Sequence, residues 1–418
     1  MSEHLFFNKQ YGERTKTFFA AVVLYLYYYS YRYVLKVNST GTSPTYGDTP
    51  FFLQFAKYAI LLFLVCALFL FSLKRAIKCQ PFTAGLLSLV IVLSNVYAFV
   101  FTKDSENVIG ALCFMPALIL FVTGGADERN VVSAFSDVLV IYLNYFIIYE
   151  GIQIAAFALF GRLPALAYAT GKISEVRFGG ALDDPNGFAV LLCFFIPFAC
   201  VRYKGLTRAW YVFILLAFLV LTWSMTGIAL FVGLSFAWFT IKIFLNRSRK
   251  SVAFFLAVAA GGCFALAAML ASSSFRHFLE VKSDSIWGHL EGWDMSGLSV
   301  FTWLGIKPVD LGGEIGIIRA IGYGGIIYLA AFTAFFAISF IAAERRKKQS
   351  VSREEHAVWS GTVFYIAAVY ISCFNLPMNY NFAVFGFLVA LCALALCKRR
   401  SVLFEKRNFV GGMTYGRD

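Results

Sequence analysis

Charge is what this sequence has least of. Only 14% of its 418 residues are charged, against about 25% in soluble chains. Hydrophobic residues make up 60% and aromatic residues 18%. That balance excludes a soluble enzyme, a disordered chain and a nucleic-acid-binding domain. The formal net charge of +13 does not restore the last of these, because in so apolar a chain it reads as membrane topology. Cysteine is unpatterned. Eight of the nine, Cys66, Cys113, Cys193, Cys200, Cys263, Cys373, Cys392 and Cys397, lie in or beside apolar runs. Cys79 sits in a short basic loop. No disulfide framework and no spaced metal-ligand set follows. No GxxxxGK[ST] phosphate loop occurs, so the chain is not expected to act as an ATPase by itself. The polar start, MSEHLFFNKQYGERTK, precedes a long apolar run that reads as a span and not as a cleavable signal.

What is present is a succession of apolar runs. A helical span needs about 20 such residues. Twelve are expected, over residues 17–35, 51–73, 83–102, 108–124, 131–160, 185–201, 209–225, 227–245, 252–272, 316–341, 356–376 and 381–397. The fold class expected is all-α, a single multi-pass membrane domain over 1–418. Basic residues orient it. Clusters at Lys9–Lys16, Lys74–Lys78, Arg202–Arg208, Lys242–Lys250, Arg345–Arg353 and Lys398–Arg417 fall on one side, together with Arg129. The other side holds only Lys36, Lys103, Arg162, Lys172, Arg177, Arg276, Lys282, Lys307 and Arg319. The asymmetry places both termini in the cytoplasm. Two long segments then face outward, 161–184 and a large loop at 273–315. Short cytoplasmic loops leave no room for a nucleotide site. Any chemistry is therefore external and uses an activated substrate. No internal repeat of the inverted-transporter kind is evident.

The first external segment ends Arg177-Phe178-Gly179-Gly180, then Asp184-Pro185-Asn186 at the head of a span. Proline behind an aspartate is a helix-start signal. A cationic fork, two glycines and a helix N-terminus suit an anionic phosphate group. An interfacial arginine beside a capped helix gives the same pattern. The large loop carries Arg276, His277, Glu280, Lys282, His289 and Glu291 among Trp287, Trp293 and Trp303. Rings among polar groups suit sugars, and also suit an ordinary interfacial belt. Glu314 opens the tenth span behind Gly312 and Gly313, with Arg319 after it. A carboxylate at a membrane edge is costly unless paired or functional. It could serve as a general base, or as an acid favoured by the helix dipole. Glu150, in the outer part of the fifth span, is a second candidate of this kind.

These features resemble the O-antigen polymerase and ligase superfamily (Wzy/WaaL type) over roughly residues 174–330. Arg177 to Gly180 with Pro185-Asn186 is similar to the family's Arg-x-x-Gly followed by Pro-Asn. Ser285 to Trp293 resembles its Ser-x-x-x-Arg-x-x-x-Trp, with His289 in the place of arginine. Leu304-Gly305-Ile306 resembles its Leu/Phe-Gly-x-Gly turn, and Gly322 to Gly325 its later glycines. Ser224 to Gly227 resembles its Thr-Ser-Arg turn, with Met225 where arginine is usual. The ligase branch has histidine at the position of Glu314, so the glutamate favours a polymerase. The resemblance implies a glycosyltransferase of the bacterial inner membrane. Its substrates are undecaprenyl-diphosphate-linked oligosaccharides, without a cofactor, metal or nucleic acid, and a chain-length regulator is a common partner. It implies catalytic roles for Glu314, Arg177 and His289. Substrate contacts fall to Arg276, Gly179, Gly180, Asn186, Trp287, Trp293, Trp303 and Arg319. A ligase, and a lipid-linked oligosaccharide flippase, are the alternatives.

Overall fold

A computed structural model of the chain describes residues 82–104, 107–108, 110–114, 128–160, 178–179, 184–246, 298–309, 315–376 and 382–396. The spans expected at 17–35, 51–73 and 252–272, and most of 108–124, lie outside these residues.

Among the described residues every long element is an α-helix. They are α1 (Phe82–Thr102), α2 (Glu128–Phe160), α3 (Pro185–Arg202), α4 (Gly205–Leu221) and α5 (Met225–Asn246). The short α6 (Val300–Trp303) precedes α7 (Gly316–Lys348), α8 (Arg353–Ser372) and α9 (Phe382–Leu396). Within α1, α3 and α7 lie stretches long and apolar enough to cross a membrane: Thr83–Thr102, Pro185–Arg202 and Gly316–Lys348. Large apolar side chains remain exposed along the helices, among them Leu93, Ile148, Trp210, Phe213 and Ile327. In water such a surface would aggregate; against hydrocarbon it costs nothing. The architecture is that of a helical membrane protein.

The core lies where α3 packs on α8, with α7 and α9 alongside. Aromatic rings fill it. Phe194 meets Tyr365 at 5.9 Å and Phe387 at 5.2 Å, and Phe332 stacks on Phe385 at 5.8 Å. Close approach needs small residues. A methyl on Gly361 would meet the Phe194 ring at 2.8 Å, and one on Gly227 would overlap Ala189 of α3. This is the small-residue packing by which membrane helices associate without a hydrophobic driving force.

Helix limits follow local chemistry. Asp184 caps α3, accepting from Asn186 N at 2.9 Å, with Pro185 behind it. Ser352 accepts from Glu355 N at 3.1 Å while Glu355 Oε2 accepts from Val351 N at 3.1 Å. This reciprocal cap starts α8 at Arg353, ahead of the 356 expected from hydropathy. The seventh and eighth spans are displaced from expectation. α4 ends at Leu221 and Trp223 turns the chain with φ 50°, so the link is Thr222 to Ser224. The physical reason is Ser224, whose hydroxyl accepts from Gly227 N at 3.2 Å and caps α5. α2 runs unbroken for 33 residues, about 50 Å, longer than a bilayer core of about 30 Å. α7 bends at Gly325, with φ 65°.

Candidate functional site at one end of the bundle

Side-chain contacts sort the helix ends into two groups. At one end Arg202 meets Glu354 at 2.6 Å and Asp137 at 3.6 Å. Arg353 donates to the carbonyls of Val201 and Tyr203. Lys347 pairs with Glu344 at 2.6 Å and lies 3.8 Å from the Trp238 ring centre. The start of α8, the ends of α3 and α7 and the adjoining basic residues therefore share this end. The Glu354 carboxyl is held below the usual carboxylate range, first by its own backbone N–H in the opening turn of α8, with the Arg202 charge adding to this against partial burial. Burial, above all, pushes the Tyr203 hydroxyl up, and its Tyr211 partner adds to the shift.

The opposite end collects polar and glycine-rich turns. Ser224 Oγ donates to Asn186 Oδ1 at 2.8 Å, which ties the head of α5 to the head of α3. Phe178 N donates to Leu221 O at 3.3 Å, so the backbone at Phe178 rests on the end of α4. Asn375 Nδ2 donates to Thr226 Oγ1 at 2.7 Å, and Ile317 N to Cys373 O at 2.9 Å. These two bonds bring the end of α8 against the heads of α5 and α7.

A second group completes this end. The turn Leu304-Gly305-Ile306 lies in the bend of α7. A methyl on Gly305, at φ 75°, would meet the Gly324 carbonyl at 2.6 Å. Val309 N donates to Gly322 O at 2.9 Å, taking a carbonyl beside the bend. Tyr97 OH donates to Ile306 O at 2.9 Å and Tyr323 OH to Asp104, which ties α1 to the same end.

Of the residues singled out in the sequence, Gly179 and Asn186 lie here. Gly179 is buried, and Asn186 is half-buried in the link to Ser224. Arg319 is half-buried in the first turn of α7. Trp303 is half-buried at the end of α6, packed against the core, with its carbonyl at the bend beside Gly325. Arg177, Gly180, Arg276, Trp287, His289, Trp293 and Glu314 lie outside the described residues. Two segments of the family resemblance far apart in sequence, Pro185-Asn186 and Ser224 to Gly227, are thus neighbours in space. So are Leu304 to Ile306 and Gly322 to Gly325. Among the described residues, no three His, Cys, Asp or Glu side chains gather to hold a metal.

Sequence reasoning took Thr226 only as part of the Ser224 to Gly227 turn and passed over Asn375. Each is a single polar residue next to an apolar run, and only their bond marks them. Glu150, the second acid candidate of the sequence, lies within α2. That residue is 1% exposed, and neither carboxylate oxygen has a hydrogen-bond partner among the described residues.

No protein-family model matches the chain, and no curated protein matches it.

Proposed function

We propose that the chain is a membrane glycosyltransferase that polymerises undecaprenyl-diphosphate-linked repeat units into O-antigen or a related surface polysaccharide. The observation that supports this best is the bond between Asn186 and Ser224. It joins two segments that resemble the superfamily separately, at the bundle end that carries few basic residues. In this reading twelve spans cross a bacterial inner membrane, both termini are cytoplasmic, and this end faces outward. A chain-length regulator is a partner of the kind such a polymerase uses.

The donor is a growing glycan on its lipid diphosphate, and the acceptor is a sugar hydroxyl of another lipid-linked unit. The hydroxyl oxygen attacks the anomeric carbon, and the carbon–oxygen bond to the diphosphate breaks. The bond broken is already activated, so no nucleotide is needed outside. Arg177, with Arg276, would meet the charge growing on the leaving diphosphate; one such donor is commonly worth about 3 kcal/mol. A general base takes the acceptor's proton, and the sequence nominates Glu314, with His289 second. Trp287, Trp293 and Trp303 would hold sugar faces.

The test is the surface glycan of a strain lacking the protein, resolved by repeat number. A ladder collapsed to core plus one repeat supports polymerisation. Complete loss of repeats from the core, with long chains held on undecaprenyl diphosphate, indicates the ligase. Single repeats trapped on the cytoplasmic face indicate the flippase. An unchanged glycan, capsule and exopolysaccharide included, sinks all three.

A further inference from the structure

Glu150 stands apart from every other acid in the described bundle. Between Val138 and Phe160 it is the only Asp, Glu, Lys or Arg in α2. It is buried to 1%, and both carboxylate oxygens lack a hydrogen-bond partner among the described residues. The nearby Tyr145 hydroxyl is buried without one as well. Its depth is fixed by its neighbours along the helix. Phe146, one turn earlier on the same face, meets Phe188 at 5.8 Å, and Phe188 N bonds Asp184 O in the first turn of α3. Because α2 runs toward that end, Glu150 lies level with the heads of α3 and α5, where Asn186 and Ser224 meet.

A lone carboxylate in an apolar bundle adds nothing to stability, since a neutral side chain of the same size would sit there at lower cost. In a membrane helix such a group marks a functional position. It has two comfortable states: the neutral acid, or a carboxylate met by a hydroxyl donor. Those are the two states of a general base before and after it works.

We propose that Glu150, in place of Glu314 or His289, is the general base of the transfer reaction, accepting the proton of the attacking sugar hydroxyl. The inference rests on the glycosyltransferase reading above. In the step, the hydroxyl proton moves to a Glu150 oxygen as the oxygen–anomeric carbon bond forms. The bond from that carbon to the diphosphate oxygen breaks, and its electron pair leaves on the lipid diphosphate. Glu150 later returns the proton to water.

The experiment uses the full chain in membranes of the deletion strain. Glu150→Gln keeps the shape and the neutral state, and Glu150→Asp keeps the carboxyl. Glu150→Gln is expected to reach normal abundance and to lose polymerisation by about 10²–10⁴-fold, with Glu150→Asp restoring part of it. A merely structural Glu150 would be satisfied by glutamine. Wild-type chain length in Glu150→Gln overturns the proposal and leaves the glycosyltransferase reading standing. An unchanged glycan in the deletion strain overturns both. A second readout does not depend on activity. Dicyclohexylcarbodiimide, an apolar reagent for buried carboxylic acids, is expected to modify Glu150 in wild-type membranes, as mapped by mass spectrometry. Absence of the adduct overturns the proposal.

Discussion

Ser224 does two jobs with one hydroxyl. It accepts from Gly227 N as the cap of α5, and it donates to Asn186 in α3. It is fully buried. Ser224→Ala removes the cap and a buried hydrogen bond together, an expected loss of about 1–3 kcal/mol. Thermal unfolding in detergent measures it; an unchanged midpoint would show that the link bears no load. Glu354 gives a pH-dependent case at the other end. Its acidity is raised in the folded chain by its own backbone N–H and by Arg202. The contribution to stability is therefore full above the unfolded carboxylate value, about 4.3. It is lost as pH falls through the lower folded value. The pair is partly exposed, so the effect is under about 1 kcal/mol. Stability measured from pH 6 to pH 3 should fall less steeply in Glu354→Gln than in the wild type; parallel curves would rule out the linkage. Asp184 was legible from sequence because proline follows it. At Ser224 the sequence showed a tight link, Ser224 to Gly227, but not the cap or the bond to Asn186, since hydropathy averages over a single hydroxyl.

The elements differ in how plainly the sequence announced them. α1, α3 and α9 fall within a residue or so of the expected spans, because uniform apolar runs with polar ends leave no choice of boundary. The bend of α7 is a different matter. Gly322, Gly324 and Gly325 appear in sequence as a small-residue stretch, without direction. In the structure the bend is the seat of another segment. Gly305 and Gly325 both have positive φ, and a side chain on either would strike the backbone of the other segment. Gly325→Ala combines a backbone at φ 65°, ψ −162° that essentially only glycine adopts, about 1–3 kcal/mol, with overpacking of about 1–3 kcal/mol. Gly305→Ala is expected to cost as much, because the clash is mutual. The double variant is expected to lose less than the sum, since either change alone already lifts the turn from the bend. Full additivity, measured by unfolding of each variant, would show that the two glycines act apart.

At the scale of the whole molecule, the sequence reading orders residues along each apolar run but does not give their neighbours. Hydropathy fixes how far along a span a residue lies. It does not say that Asn186, Thr226 and Asn375 belong to adjoining helices, because those contacts bridge some 38 and 149 positions of sequence. Charge does better. The basic residues assigned to one side from their positions, Arg202, Arg346, Lys347 and Arg353 among them, meet at one end through contacts with the α3–α4 link, α5, α8 and α9. The proposed chemistry depends on which way that end faces. Activated nucleotide sugars exist only inside, whereas a lipid diphosphate donor can be used outside. Lys204 and Lys307 report the two ends, since both are exposed and lie at opposite ends of the bundle. Each is substituted with cysteine in turn and treated in intact cells with a membrane-impermeant maleimide, with the unsubstituted chain as background. Lys307→Cys is expected to react at once, and Lys204→Cys only after the membrane is opened. The reverse pattern would put the Asn186–Ser224 end in the cytoplasm, where a substrate carried on the outer leaflet never arrives.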